Sequence, residues 1–130
     1  MRSIVGTWKL IAAAAKDKDG NPLPAPYGGE GMGRVVFSAA GRMMAVNCDG
    51  RRELPPGMER AYSSYCGNYT FDGTRLVTRV DAASDPSRIG SDQVREVSFD
   101  GDRMILRPPP RPTEAGEEYR ELTWEKIAPE

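Results

Sequence analysis

The chain of 130 residues contains no histidine. That absence removes the Ser-His-Asp and Cys-His nucleophilic mechanisms, the His-ligated haem or facial-triad metal site, and the usual general base near neutral pH. Cysteine is scarce, with Cys48 and Cys66 the two present. Two thiols alone do not make a zinc site, and in a reducing compartment they are expected to stay free. An excess of one charge is lacking too: 18 Lys and Arg face 19 Asp and Glu, a net charge of −1. A nucleic-acid surface needs a basic stripe, which this balance does not supply. No apolar run approaches the roughly 20 residues that span a bilayer, and "MRSIVGTW" does not read as a secretory signal. The expectation is one soluble, cytoplasmic domain over residues 1–130, large enough to bury a single core.

What the chain does have is the punctuation of antiparallel β-structure. "KDKDGNP" (16–22), "SAAGR" (38–42), "FDGT" (71–74) and "FDGD" (99–102) carry turn chemistry. Between them lie short runs rich in Val, Ile, Thr, Phe and Tyr, at 4–15, 33–38, 42–48, 65–71, 74–81, 92–99, 102–107 and 118–127. Eight runs at this spacing predict an all-β barrel or sandwich. "ELPPGMERAYSS" (53–64) reads as a short helix or lid. Its prolines sit where a first turn begins, and Met58, Ala61 and Tyr62 are spaced for one face.

Facing follows from the two-residue period of a strand. If "VGTWKLIAAAA" (5–15) is unbroken, Trp8, Leu10, Ala12 and Ala14 share a face. Along it the side chains shrink from an indole to methyl groups, as in a wall plugged at one end and open at the other. The interior of an eight-stranded barrel is just wide enough to be filled by large side chains, so alanines on one wall leave a cavity. "FDGTRLVTR" (71–79) and "FDGDRMILR" (99–107) read as hairpins with two-residue Asp-Gly turns. With Phe71 inward, Tyr69, Thr74, Leu76, Thr78 and Val80 follow, and Arg75, Arg79 and Asp81 face water. With Phe99 inward, so are Val97, Arg95, Gln93, Met104 and Leu106, while Arg103 and Arg107 point out. A one-residue bulge reverses half of such assignments.

At this level the chain resembles a known family. Gly6-x-Trp8 at the start of the first strand resembles the lipocalin signature, in which the Trp closes the base of the barrel. The whole chain is similar to small bacterial and fungal lipocalin-like domain proteins through "IVGTWKL" (4–10), "PYGGEGMGRVVFSAAGRM" (26–43), "YCGNYTFDG" (65–73), "GSDQVREVSFDGDRMIL" (90–106) and "ELTWEKI" (121–127). The resemblance implies an eight-stranded antiparallel up-and-down barrel of the calycin type. Relatives carry one or two His in the strand matching "LVTRV" (76–80), where this chain has Thr78 and Arg79. A mechanism resting on those imidazoles does not transfer.

Arg95 and Gln93, placed inward, are the first candidates for chemistry. An interior guanidinium is costly unless paired, and it suits the carboxylate, enolate or phenolate end of a ligand. The alternatives are an internal ion pair with Glu121 or Asp49, or stacking over Trp8 or Trp124. Tyr69 offers an aromatic wall with a donor at its tip, or else a hydroxyl that reaches the rim; Thr78 is the other neutral polar group inside. Tyr62 and Tyr65, near the proposed lid, stand either as a gate or as packing. Cys48 and Cys66 lack an activating base and read as small packing residues. Asp49, Glu53 and Glu121 are the carboxylates that an apolar cavity would turn into acid–base groups, with a place on the surface as the default.

Three motifs are set aside. "GGEGMG" (28–33) lacks the spacing and βαβ unit of a dinucleotide loop. "DKDGN" (17–21) lacks most of a calcium loop's ligands. "RPPPRP" (107–112) resembles an SH3-type ligand but reads as a stiff connection between the last two strands. The functional expectation is a container, with no cofactor, for a small hydrophobic or aromatic metabolite with a polar or anionic end. Trp8, Ala12, Ala14, Tyr69, Phe71, Thr78, Gln93, Arg95, Val97 and Met104 are its expected lining. The alternative is a cofactor-free isomerase, dehydratase or cyclase in the same cavity, using Arg95, Tyr69, Asp49 or Glu121. A third reading is an interaction module with a solidly packed barrel. The partner expected is a small molecule, with neither nucleic acid nor membrane and with a homodimer left open.

Overall fold

The computed structural model describes residues 2–114 and 116–130. The chain forms strands β1 (Gly6–Lys16), β2 (Pro22–Leu23), β3 (Gly31–Phe37), β4 (Arg42–Asp49), β5 (Tyr62–Phe71), β6 (Arg75–Ala83), β7 (Asp92–Asp100), β8 (Arg103–Arg107), β9 (Arg111–Thr113) and β10 (Gly116–Ala128). Each strand pairs antiparallel with its neighbours, and β1 pairs with β10 along most of its length, which closes the sheet. The result is a closed eight-stranded antiparallel barrel of β1, β3 to β8 and β10, with β2 and β9 as short additions at its edges. Closure leaves no long open edge among the eight, which is how small all-β domains avoid edge-to-edge aggregation. The only helical turns among the described residues are two 3₁₀ segments, Pro26–Gly29 and Pro86–Arg88. None is long and apolar enough to cross a membrane.

The two ends of the barrel differ. At one end the connections are tight: 38–41 between β3 and β4, 72–74 between β5 and β6, and Gly101–Asp102 between β7 and β8. At the other end lie the long loops that follow β1, β4, β6 and β8, the first carrying β2 and the last β9. Trp8 plugs the tight end. It is buried, its Nε1 donates to the Ile4 carbonyl at 2.9 Å, and Lys126 lies over its ring. Phe37, Met43, Val97 and Met104 pack into the same core.

Both hairpins keep the expected faces in a register displaced by two residues. Phe71 pairs with Leu76 rather than Thr74, because Asp72 Oδ1 accepts from the Thr74 and Arg75 amides and widens the turn. Phe99 pairs with Met104, so Gly101–Asp102 makes the second turn. A slip of two preserves the side on which every residue points. Leu76, Thr78, Val80, Val97, Met104 and Leu106 are buried, while Arg75, Arg79, Asp81 and Arg103 are exposed; Thr74 is exposed at the turn.

Two expectations are corrected. The β1–β10 register shifts between Leu10 and Ala12, a bulge that turns the strand over. Trp8 and Leu10 are buried, but beyond them Ala12 and Ala14 are exposed and Ala15 is buried. Ala12 and Ala14 therefore do not line the cavity inside the barrel. The segment 53–64 is not a helix. Gly57 sits at φ 79°, which ends any helical run, and Met58 closes a turn onto the Pro55 carbonyl. Tyr62, Ser63 and Ser64 are taken into β5 by pairing with Cys48, Asn47 and Val46.

Candidate functional site

A cavity of about 390 Å³ opens among the long loops. Its floor is the upper surface of the core: Val35, Met43, Leu76, Leu106, Leu122 and Trp124. Its mouth is polar and aromatic. Tyr27 comes from the loop before β3, Tyr62 and Tyr65 from β5, Arg88 from the 3₁₀ turn before β7, and Pro108 and Pro109 from the stiff "RPPPRP" connection. Ala61, Tyr62 and Ser63, the end of the expected lid, border the opening without covering it as a helix.

Local sequence explains how each side chain arrives. Asp85 caps the Pro86–Arg88 turn by accepting from the Ser87 amide, and the turn delivers Arg88 over the Tyr65 ring at 4.5 Å. Tyr27 has φ 57°, the left-handed region that a non-glycine residue rarely occupies. Gly28 and Gly29 continue the positive-φ run, and the bare Gly28 backbone lets the Arg51 guanidinium lie within 2.5 Å of where a Cβ would stand. Arg51 in turn chelates the Asp49 carboxylate, Nε to Oδ1 at 3.0 Å and Nη2 to Oδ2 at 2.6 Å. Arg60 donates to the Asp49 and Arg51 carbonyls at 2.6 Å each. This arginine–aspartate knot ties the loop 50–61 to the Gly-rich turn and frames the mouth.

Arg95 projects from β7 into the cavity, as the hairpin reading requires. It has none of the ion pairs or stacking partners weighed above. Its Nη1 donates to the Val94 carbonyl at 2.8 Å and its Nη2 to Gln93 Oε1 at 3.2 Å. The same Gln93 oxygen accepts from Arg88 Nη2 at 2.6 Å. Two guanidiniums thus converge on one neutral oxygen. Burial pushes the Arg95 pKa down; Tyr65 opposes this, the nearby Arg88 charge adds to it, and Tyr27 opposes it more weakly. Burial likewise raises the Tyr27 phenol. Across the mouth, Glu118 Oε1 accepts from Arg111 Nε and Arg120 Nε, both at 2.7 Å. Burial works to raise the Glu118 carboxyl, but the two guanidiniums outweigh it and hold it below the ordinary value. Four arginines and one carboxylate line the cavity of a chain whose net charge is −1.

Other candidate residues lie elsewhere. Tyr69 packs edge-on against Phe37 and donates its hydroxyl to the Ser38 carbonyl at 2.7 Å, at the tight end. Thr78, Val97 and Met104 are buried in the wall or core, and Phe71 is half-buried in the same packing; these and Trp8 do not reach the cavity surface. Gln93 stands behind the two arginines. Asp49 is buried in its knot, where the hydrogen-bonded Arg51 side chain holds its pKa at about 2. Glu121 pairs with Arg107 on the barrel's outside, and Glu53 is exposed. Cys48 and Cys66 are free, and burial, then the neighbouring Asp81, pushes the Cys66 thiol up. Sequence reasoning missed Tyr27, Arg88, Arg120 and Trp124 as cavity residues. Tyr27 had one visible signal, its place beside two glycines.

Among the described residues no three His, Cys, Asp or Glu side chains gather as metal ligands would. No curated protein and no solved structure matches the chain. The family model described as lipocalin-like domain matches residues 5–61 and 56–127, which together span nearly the whole barrel. Members of such barrel families are generally associated with binding small hydrophobic molecules. With its closed barrel, base tryptophan and apolar-floored cavity, the chain belongs to the lipocalin-like domain family.

Proposed function

We propose that this protein binds a small molecule with an apolar body and an anionic head, the body in the barrel and the head between Arg88 and Arg95. The observation that carries the reading is the convergence of both guanidiniums on Gln93 Oε1 with no carboxylate joining them. A guanidinium in an apolar cavity loses hydration that a neutral oxygen restores only in part. An incoming carboxylate, enolate or phenolate oxygen supplies a charge-assisted hydrogen bond to the same donors. Tyr27 and Tyr65 add aromatic surface at the point where the head meets the body, and the floor of the cavity accepts the apolar part.

Binding is favoured over turnover because the carboxylates offered for proton transfer are spoken for. Asp49 is locked to Arg51, Glu121 stands outside, and Glu118 at the mouth is held ionised between two arginines. The test is mass spectrometry of a metabolite extract incubated with the protein, compared with a no-protein control. Enrichment of an unchanged apolar acid on the protein is the expected outcome. Enrichment of a neutral species contradicts the anionic head, and consumption of a bulk species to an isomer or dehydrated product makes the protein an enzyme.

A further inference from the structure

We infer that the outer face of β3, β4, β5 and β6 is the interface of a weak homodimer. Two copies pack this face against itself about a twofold axis that runs along the strands between β4 and β5. This dimer needs no ligand and is independent of the binding reading. Eight large apolar side chains are exposed among the described residues, and five of them, Met32, Val36, Met44, Val46 and Tyr62, fall on this one face. The strand register makes them contiguous: Val36 pairs with Met44, and Met32 and Tyr62 flank Cys48. Apolar residues scattered singly on a surface are ordinary, whereas a cluster of them marks a contact. The eight barrel strands leave no long open edge, so a second copy meets them by a face rather than by an added strand.

Three features fit a second copy of this chain. Shape is the first. The bulky Met and Val side chains stand on the β3–β4 half, and beside them a shallow groove runs along the small residues Ser64, Cys66, Ala82, Ala83 and Ser84 of the β5–β6 half. A twofold axis between β4 and β5 lays each half on the other, with Met44 and Val46 of one copy over Cys66 and Ser64 of the second. Charge is the second feature. One rung of the sheet runs Lys9, Arg34, Val46, Ser64 by register. The Ser84 amide continues it by donating to the Ser64 carbonyl at 2.9 Å, with Asp85 next in the chain. The rung begins with two cations and ends with an acid. Arg34 donates to the Gly33 carbonyl, and Asp85 accepts from Ser87. Neither these two nor Lys9 joins an ion pair among the described residues. The same axis sets the cationic flank of each copy over the acidic flank of the other, which is the complementarity that fixes register between partners. Size is the third feature. The rung crosses four interstrand gaps of about 4.8 Å and the seven residues of β3 run about 3.3 Å each, a footprint of about 450 Å² before side-chain relief is counted. Specific interfaces take about 600 Å² or more from each partner, so this face lies at their small end and the expected dissociation constant is micromolar.

The test is sedimentation velocity of the intact protein from about 1 to 300 µM, a range that spans the expected dissociation constant. The wild type is compared with Met44→Glu, Arg34→Glu and, as a control on β10 outside this face, Ile127→Glu. Met44 and Ile127 are 62% and 50% exposed, so neither substitution enters the core. The weight-average mass of the wild type should rise from one chain toward two, and Ile127→Glu should follow it. Met44→Glu should raise the dissociation constant about tenfold or more, and Arg34→Glu, which sets two acids face to face, about fivefold. A wild type that stays monomeric across the series overturns the inference and leaves the face to another partner. A dimer that either face substitution leaves intact, or that Ile127→Glu disrupts to the same degree, overturns it as well. Arg34→Glu decides the matter even if Met44→Glu does not fold.

Discussion

A guanidinium sunk in an apolar barrel is ordinarily matched by a carboxylate, and Arg95 has only the Val94 carbonyl and a shared glutamine oxygen. An arginine retained for structure would cost stability when removed; one retained for a ligand would not. For Arg95→Gln the expected outcome is an unchanged or higher melting temperature of the free protein, with affinity for decanoate reduced about tenfold or more. A lower melting temperature would assign Arg95 to the scaffold. Asp49 supports the opposite argument. Its carboxyl is held at about 2 by Arg51, whereas an aspartate in an unfolded chain titrates near 3.9, on the order of its ordinary value. The folded pKa is the lower one, so the contribution of the ionised pair is complete above the unfolded value. It is lost as pH falls from about 4 through about 2. Denaturant titrations across this window should show the wild type losing stability on acidification, and Asp49→Asn, weaker at neutral pH, losing less. Parallel slopes would mean that the knot does not contribute.

At the scale of elements, the strands and their faces were legible in the sequence wherever two hairpin residues and a period of two sufficed. Phe71, Leu76 and Thr78, and Val97, Met104 and Leu106, fall on the expected side because the turns slipped by two residues rather than one. The alanine run was not legible in this way. Ala12–Ala15 carries no side chain large or polar enough to mark a face, and the bulge between Leu10 and Ala12 depends on the partner strand β10. The cavity residues were hidden for a similar reason. Tyr27, Arg88 and Arg120 reach the mouth from loops or from strand ends that only barrel closure brings together. Two substitutions test this layer. Ala12→Leu, which would weaken binding on a cavity wall and overpack a solid barrel, should instead change stability by within about 0.5 kcal/mol, as surface substitutions do, and leave binding intact. Gly67→Ala should destabilise by about 2 kcal/mol or more, because its Cβ would stand 1.9 Å from the Arg79 carbonyl oxygen at the β5–β6 bulge. Chemical denaturation of the two variants beside the wild type measures both.

The whole molecule divides its labour between its ends. Tight turns, the Trp8 plug and the dense core hold one end closed; at the other, arginines and tyrosines gather from two 3₁₀ turns and from β5, β7, β9 and β10. A protein that is slightly acidic overall thereby presents a cationic, aromatic mouth over an apolar cavity. A ligand that binds only the folded barrel stabilises it by mass action, about 2.7 kcal/mol at a hundredfold excess over Kd. For a domain of this size that is a rise in melting temperature on the order of 10 °C. The rise should follow the acid head, not chain length alone. The most direct measurement is isothermal titration calorimetry of the wild type with decanoate and with decan-1-ol, repeated for Arg95→Gln. The expected result is that decanoate binds the wild type about tenfold or more tightly than decan-1-ol and that the substitution removes this preference. Equal affinity for the acid and the alcohol in the wild type, or a preference that persists in Arg95→Gln, would contradict an anionic head held by the paired arginines.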